Sequence, residues 1–202
     1  MLDRYAGRDD IVVLALPRGG VPVGLEIARY LQAPLDVIIV RKLGLPYQRE
    51  LAMGAIAGGG FRAMNADVLE ASGVNETVIN DVIQQEQREL EYRERLYRGG
   101  RPAADLRGRA VILVDDGIAT GATMRVAIQA VRHAGPGRVI VATPVAAGPT
   151  LEKLRQEADE AIAALVPADL QSIGEWYDNF SQLTDGEVCA LLADAGGSKA
   201  LA

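Results

Sequence analysis

The chain has 202 residues, 49% of them hydrophobic and 24% charged, which is enough to bury one core of ordinary domain size behind a polar surface. With 21 Lys and Arg against 27 Asp and Glu the formal net charge is −6, which argues against a chain-wide nucleic-acid or membrane-surface role. One Cys and one His exclude an internal disulfide framework and a Cys/His zinc site, so chemistry falls to carboxylates, Arg and Lys, hydroxyls, backbone amides or a borrowed metal.

No apolar run approaches bilayer length, and the opening Met1-Leu2-Asp3-Arg4-Tyr5 lacks the basic and apolar regions of a signal peptide. The expectation is a cytoplasmic protein with no membrane partner. In chain order, Ile11–Leu16 is a continuous apolar run, as expected of a strand covered on both faces, and a helix is predicted over Val21–Leu31. Leu35–Val40 is a second strand. Leu51–Ala57 is a third, ending at Gly58-Gly59-Gly60, which reads as a hairpin or loop turn. Asn75–Arg98 is one long charged helix with Ile79, Val82, Ile83, Leu90 and Tyr97 near one face. It reads as a solvated helix laced with i,i+4 ion pairs. A sharper alternative makes its Arg98 and Arg101 end a lid over an anion. Ala110–Val114 and Arg138–Thr143 are strands flanking a helix at Ala122–His133, and Ala161–Val166 is the last strand. Strands alternating with helices predict an α/β fold with a mainly parallel sheet. The small residues from 196 to 202 read as a flexible tail.

The segment richest in chemistry is Val111-Ile112-Leu113-Val114-Asp115-Asp116-Gly117-Ile118-Ala119-Thr120-Gly121-Ala122-Thr123. A buried strand ends in two acids, a small-residue loop follows, and a helix begins. Amides of such a loop and the helix N-terminus suit a phosphate, and small residues let the backbone come close. Thr120 and Thr123 can donate to phosphate oxygens. Ionised Asp115 and Asp116 accept, which suits a ribose diol. The segment resembles the PRPP-binding signature of the type I phosphoribosyltransferases (PRPP is 5-phosphoribosyl-1-diphosphate). Gly117 departs slightly from it, because that position is more usually aliphatic or Ser.

Three further loops agree with the resemblance. Leu16-Pro17-Arg18-Gly19-Gly20 follows the first strand, where two Gly and a fixed cation can present amides and charge to an anion. It matches in position the family's pyrophosphate loop and looks most like the version in purine enzymes of the xanthine–guanine kind. Arg41 and Lys42 follow the second strand, where the family places a basic residue on pyrophosphate. Thr143-Pro144-Val145-Ala146-Ala147 corresponds to a loop on the nucleobase side. In purine-type members an aromatic near the C-terminus stacks on the base, which by resemblance points to Trp176 or Tyr177, with Asp178 near Mg²⁺. The bland reading of that stretch is an aromatic subdomain core. His133 and Cys189 are read as a helix-end cation and a packed thiol.

The resemblance covers residues 10–180. It implies a type I phosphoribosyltransferase fold, a parallel twisted sheet of about five strands flanked by helices, with a small hood. Residues 1–195 would form one domain, with the core at 10–166 and the hood and terminal helix at 167–195. The implied reaction moves 5-phosphoribosyl from PRPP to a nitrogenous base and releases pyrophosphate. Mg²⁺ would take part, with Asp115 and Asp116 near it directly, through water or through ribose. Catalysis would rest on Asp115, Asp116, Arg18 and Lys42. Gly117, Ile118, Ala119, Thr120, Gly121, Ala122 and Thr123 would hold the 5′-phosphate, and Arg18, Gly19, Gly20, Arg41 and Lys42 the pyrophosphate. The partners would be PRPP and a base, without nucleic acid, in a homodimer if the chain follows common family practice. A regulator that binds PRPP or a nucleotide without turnover is the alternative.

Overall fold

The computed structural model describes residues 1–196. The elements run β1 (Ile11–Ala15), α1 (Gly20–Leu31), β2 (Leu35–Val37), β3 (Val40–Leu45), β4 (Gln48–Ala57), β5 (Phe61–Met64), α2 (Ala66–Ser72), α3 (Glu76–Arg98), β6 (Ala110–Val114), α4 (Ala122–His133), β7 (Arg138–Val145), α5 (Gly148–Glu157), β8 (Glu160–Leu165) and α6 (Asp185–Gly196). The predicted tail lies outside the described residues, apart from Gly196.

Five strands form a parallel sheet in the order β2-β1-β6-β7-β8, so the α/β class and the five parallel strands read from the sequence stand. The reason β1 and β6 are apolar throughout is visible in their pleat. Ile11, Val13 and Ala15 with Ala110, Ile112 and Val114 join one hydrophobic cluster, while Val12, Leu14, Val111 and Leu113 join the cluster on the opposite face. Helices α1, α3 and α6 supply buried residues to the first cluster, and α4 and α5 to the second.

Two strand assignments differ from expectation. The second predicted strand is two: β2 stops at Val37, and β3 begins at Val40 in a different sheet. The third, now β4, leaves the parallel sheet altogether. With β3 and β5 it makes an antiparallel three-stranded sheet, turned at Gly58–Gly60 as the glycine run suggested. An unbroken apolar stretch from Leu35 to Val40 hides the exchange, because both sheets bury this segment. The helices α2 and α5 also went unread.

The charged helix exists with the predicted extent. Asn75 caps it by accepting from the Val78 amide at 2.9 Å, and Leu90 and Tyr97 are buried. Its Glu89–Arg93 and Glu94–Arg98 pairs are the expected i,i+4 links. Arg98, however, is not open to an anion. Its guanidinium donates to Asp36 at 3.0 Å, to Glu94 at 2.9 Å and to the Val37 carbonyl at 2.9 Å. Asp36, buried on the edge strand β2, also accepts from the amides of Val37 and Ala104. The lid alternative therefore gives way to a buried clasp that ties the C-terminal end of α3 to β2. Replacing Arg98 by Met leaves Asp36 buried without its cation. The expected cost is about 3 kcal/mol, or roughly 6–12 °C in melting midpoint for a chain of this size, checked by thermal unfolding.

Candidate active site

The site is assembled where β1 and β6 end side by side. The Leu16 amide donates to the Val114 carbonyl at 2.8 Å, which brings the loop after β1 against the two acids after β6. The Pro17–Arg18 peptide is cis, and Gly20 opens α1. The fit leaves no room for side chains. A Cβ on Gly19 would lie 1.8 Å from the Asp116 Oδ2, and one on Gly20 would lie 2.6 Å from the Val114 carbonyl oxygen. Here the two glycines are needed for close approach.

Asp115 and Asp116 are partly buried and face one another's fields. The Asp116 amide donates to Asp115 Oδ1 at 2.9 Å. Burial, and then the Asp116 charge, push the Asp115 carboxyl up to about 7. Burial also raises Asp116. Among the described residues no Lys or Arg pairs with either acid, so no ion pair offsets their charge. Thr143 donates to the Asp115 carbonyl at 3.2 Å, and Tyr177 donates to the Asp116 carbonyl at 2.5 Å. Burial and the two carboxylates push the Tyr177 hydroxyl up to about 12, so it stays a donor.

Beyond the acids the chain forms an open cradle. Ile118 bridges to Ala146, its amide bonded to the Val145 carbonyl and its carbonyl to the Ala147 amide, both at 2.9 Å. Thr150 donates to the Ala119 carbonyl at 2.6 Å. Gly121, at φ +73°, then starts α4 without a side-chain cap. Ala119, Thr120, Ala122 and Thr123 are exposed, which leaves this loop and the first turn of α4 open to solvent. The segment 144–147, expected beside a nucleobase, here braces this loop from behind.

Gly117 now has a local explanation. A Cβ there would come within 2.4 Å of Ile173 Cγ2 and 2.6 Å of its Cδ1, so Ile173 occupies the space that a larger residue at 117 would need. Gly117→Ala should lower the melting midpoint by several degrees, since overpacking costs about 1–3 kcal/mol. Adding Ile173→Ala to the same chain should recover part of it, which a thermal-melt double-mutant cycle reads directly.

A cavity of about 600 Å³ adjoins the acids, lined by Arg18, Gly19, Pro22, Val23, Asp116 and the run Tyr177 and Asn179–Leu183. Of the residues read from the sequence, this brings together Arg18, Gly19, Asp116 and Tyr177, with Asp115 and the 117–123 loop continuous with them. Tyr177 and Phe180 rings lie 5.1 Å apart. The exposed Trp176 and Asp178 are not among the lining residues. Arg41 and Lys42 sit on β3 instead. They pair with Glu86 of α3 at 2.6 Å and with Glu50 of β4 at 3.2 Å, and they line a separate cavity of about 420 Å³ between the hairpin and α3. Sequence reasoning missed Asn179, Phe180, Ser181 and Gln182 as cavity residues. The only signal was an aperiodic aromatic and polar stretch before a helix.

A model of the phosphoribosyl transferase domain family matches residues 62–173. The chain is 44% identical over 182 residues to provisionally named phosphoribosyl transferases from two Mycobacterium tuberculosis strains, CDC 1551 and H37Rv. The match takes in 90% of this chain and 41% of each relative, so the chain spans about two fifths of their length. The crystal structure of TT1426 from Thermus thermophilus is 41% identical and superposes with a TM-score of 0.80, covering 93% of this chain and 89% of that one. The chain belongs to the phosphoribosyl transferase domain family, and it shares its fold with TT1426. Among the described residues no helix is long and apolar enough to cross a membrane.

Proposed function

We propose that this chain is a pentosyltransferase that moves the 5-phosphoribosyl group of PRPP to a nitrogen of a purine-like base and releases pyrophosphate, with residues 1–195 acting as one unit. The observation that carries the reading is the abutment of the Arg18–Gly20 loop on the acids, a contact so close that a Cβ at Gly19 would strike the Asp116 carboxylate. One loop can then hold a diphosphate while the other holds the ribose to which it is bonded.

The roles follow from donor and acceptor chemistry. Amides of the 119–123 loop with Thr120 and Thr123 take the 5′-phosphate. Asp115 and Asp116 accept from the ribose hydroxyls. The Arg18 guanidinium and the Gly19 amide take the charge that builds on the departing diphosphate. The anomeric carbon–oxygen bond breaks with its electron pair leaving on pyrophosphate, the new carbon–nitrogen bond forms, and the base gives up its proton to solvent. No side chain acts as a nucleophile, and the chain's work is orientation and charge stabilisation. Tyr177 and Phe180 offer aromatic faces to the acceptor across the cavity, which supports a flat, base-like partner.

The donor set also suits Mg²⁺. Two uncompensated carboxylates are hard oxygen ligands, and among the described residues no group of three or more metal-binding side chains forms a closed cage. Such a site fits an ion that arrives with phosphate oxygens and keeps part of its water. Asp115 and Asp116 would hold it, directly or through water, and it would supply charge neutralisation on the diphosphate. Arg41, Lys42, Trp176 and Asp178 are left out of the mechanism by their placement.

The test is a panel of nucleobases with PRPP and Mg²⁺, reading pyrophosphate release. Turnover with at least one purine is expected. PRPP binding without release for any base would favour the non-catalytic binder on the same fold.

A further inference from the structure

Among the described residues Arg18 is the one cation lining the cavity beside the acids, and it makes no hydrogen bond to any of them. What faces it is Asp185. Its Oδ1 lies 3.9 Å from Arg18 Nη1, close enough for an ion pair and too far for a hydrogen bond. Asp185 is placed with care. It is the first residue of α6, whose start is fixed by a reciprocal cap. Thr184 donates its amide to Glu187 at 2.7 Å, and Glu187 donates its amide to the Thr184 hydroxyl at 3.2 Å. A carboxylate at that end also suits the helix dipole. The same Oδ1 accepts from the Tyr97 hydroxyl at 2.6 Å. Tyr97 is buried near the C-terminal end of α3, and burial raises its hydroxyl, which keeps it a donor. Neither Asp185 nor Tyr97 lines the cavity.

We infer that Asp185 is a positioning residue for Arg18, itself steadied by Tyr97, and that it aims the guanidinium at the diphosphate of the donor. The inference rests on the reading of Arg18 given above. A flexible side chain beside an anion site loses affinity if it must be ordered on binding. A carboxylate at 3.9 Å restricts where the guanidinium sits while leaving every one of its N–H donors for the ligand. Two of the elements concerned carry the effect across the fold. Helix α3 brings Tyr97 from the clasp at β2, and α6 follows directly on the 177–183 run that walls the cavity. The acceptor wall and the donor cation are thus tied through one side chain.

The experiment is calorimetric titration of PRPP with Mg²⁺, and of inorganic pyrophosphate with Mg²⁺, into wild type, Asp185→Asn, Tyr97→Phe, Arg18→Gln and the Arg18→Gln/Asp185→Asn double variant. Asn keeps an acceptor for Tyr97 and removes only the charge. Asp185→Asn should weaken PRPP about tenfold and Tyr97→Phe about threefold, with melting midpoints near wild type. In the Arg18→Gln background the Asp185 change should have no further effect, which a merely structural role would not produce. A plain charge effect predicts the opposite sign, because removing an anion beside a diphosphate site tightens binding. Asp185→Asn binding as tightly as wild type or tighter, or weakening by the same factor with and without Arg18, would overturn the inference alone. Wild type that binds neither PRPP nor pyrophosphate would overturn the reading of the site, and this inference with it.

Discussion

Replacing Asp115 and Asp116 together by Asn is expected to abolish pyrophosphate release and, at the same time, to make the ligand-free protein harder to melt. The two effects have one cause. The carboxyls sit where burial and mutual repulsion disfavour their charge, so Asp115 is pushed from 3.8 to about 7 and Asp116 moves in the same direction. Between those values the folded chain holds protons that the unfolded chain has released. Stability of the ligand-free protein is therefore lost as pH rises through that window. Well below the unfolded value both states are protonated and the penalty is gone. Asn removes the charge while keeping an acceptor for the Asp116 amide, which now bonds to Asp115 Oδ1. Near pH 8 the double variant should gain on the order of 2 kcal/mol, a rise of roughly 4–8 °C in midpoint. Near pH 3 the two proteins should melt together. Thermal melts across that range, with pyrophosphate release measured in parallel, check both halves. Wild-type turnover in the variant would end the proposed role of the acids. An unchanged midpoint near pH 8 would show that a cation elsewhere in the chain compensates their charges.

Much of this site was legible before any fold was known, and the reasons are local. The strand Ala110–Val114, the acids after it and the helix Ala122–His133 stand where the sequence put them, because a two-sided apolar strand and a helix after small residues leave little freedom. The glycines of 19 and 20 were legible as a backbone that could present amides to an anion, though not as the room that the two acids need. What escaped was set by contacts between distant residues. Nothing in Arg41-Lys42 announces that Glu86 and Glu50 will pair with them, so two adjacent cations looked available. Ile173 is 56 positions from Gly117, yet it explains the missing side chain there. The break between β2 and β3 was hidden because hydrophobic residues on both sides of it are buried, in different sheets. The cavity wall at 177–183 has no period to read. Its residues become a surface only when Tyr177 reaches the Asp116 carbonyl.

Gly19→Ala should cost the chain its activity and almost none of its stability. Gly19 has φ −61° and ψ −34°, a conformation that alanine adopts freely, so the backbone gives no reason for loss. The added methyl instead meets Asp116, 1.8 Å from Oδ2 and 2.5 Å from Cγ. The carboxylate is the part that swings aside, since it is the end of a side chain and no Lys or Arg among the described residues pairs with it. A displacement of this size at a group that orients the reacting sugar costs about a hundredfold in kcat/KM. The midpoint should stay within about 2 °C of wild type. Gly20→Ala separates the two kinds of contact. There the methyl meets the Val114 carbonyl at 2.6 Å and Asp115 Cα at 3.0 Å, which are backbone atoms of the central strand and its exit. They cannot rotate away, so the loop and β6 must part, with an expected loss of about 1–3 kcal/mol that melting will show. Measured side by side, the first variant reports on where the Asp116 carboxylate must point and the second on how closely the two loops must pack. Gly19→Ala with full turnover would mean that the position of Asp116 is not used in the reaction. A matching stability loss in both would mean that the loop, not the carboxylate, gives way first.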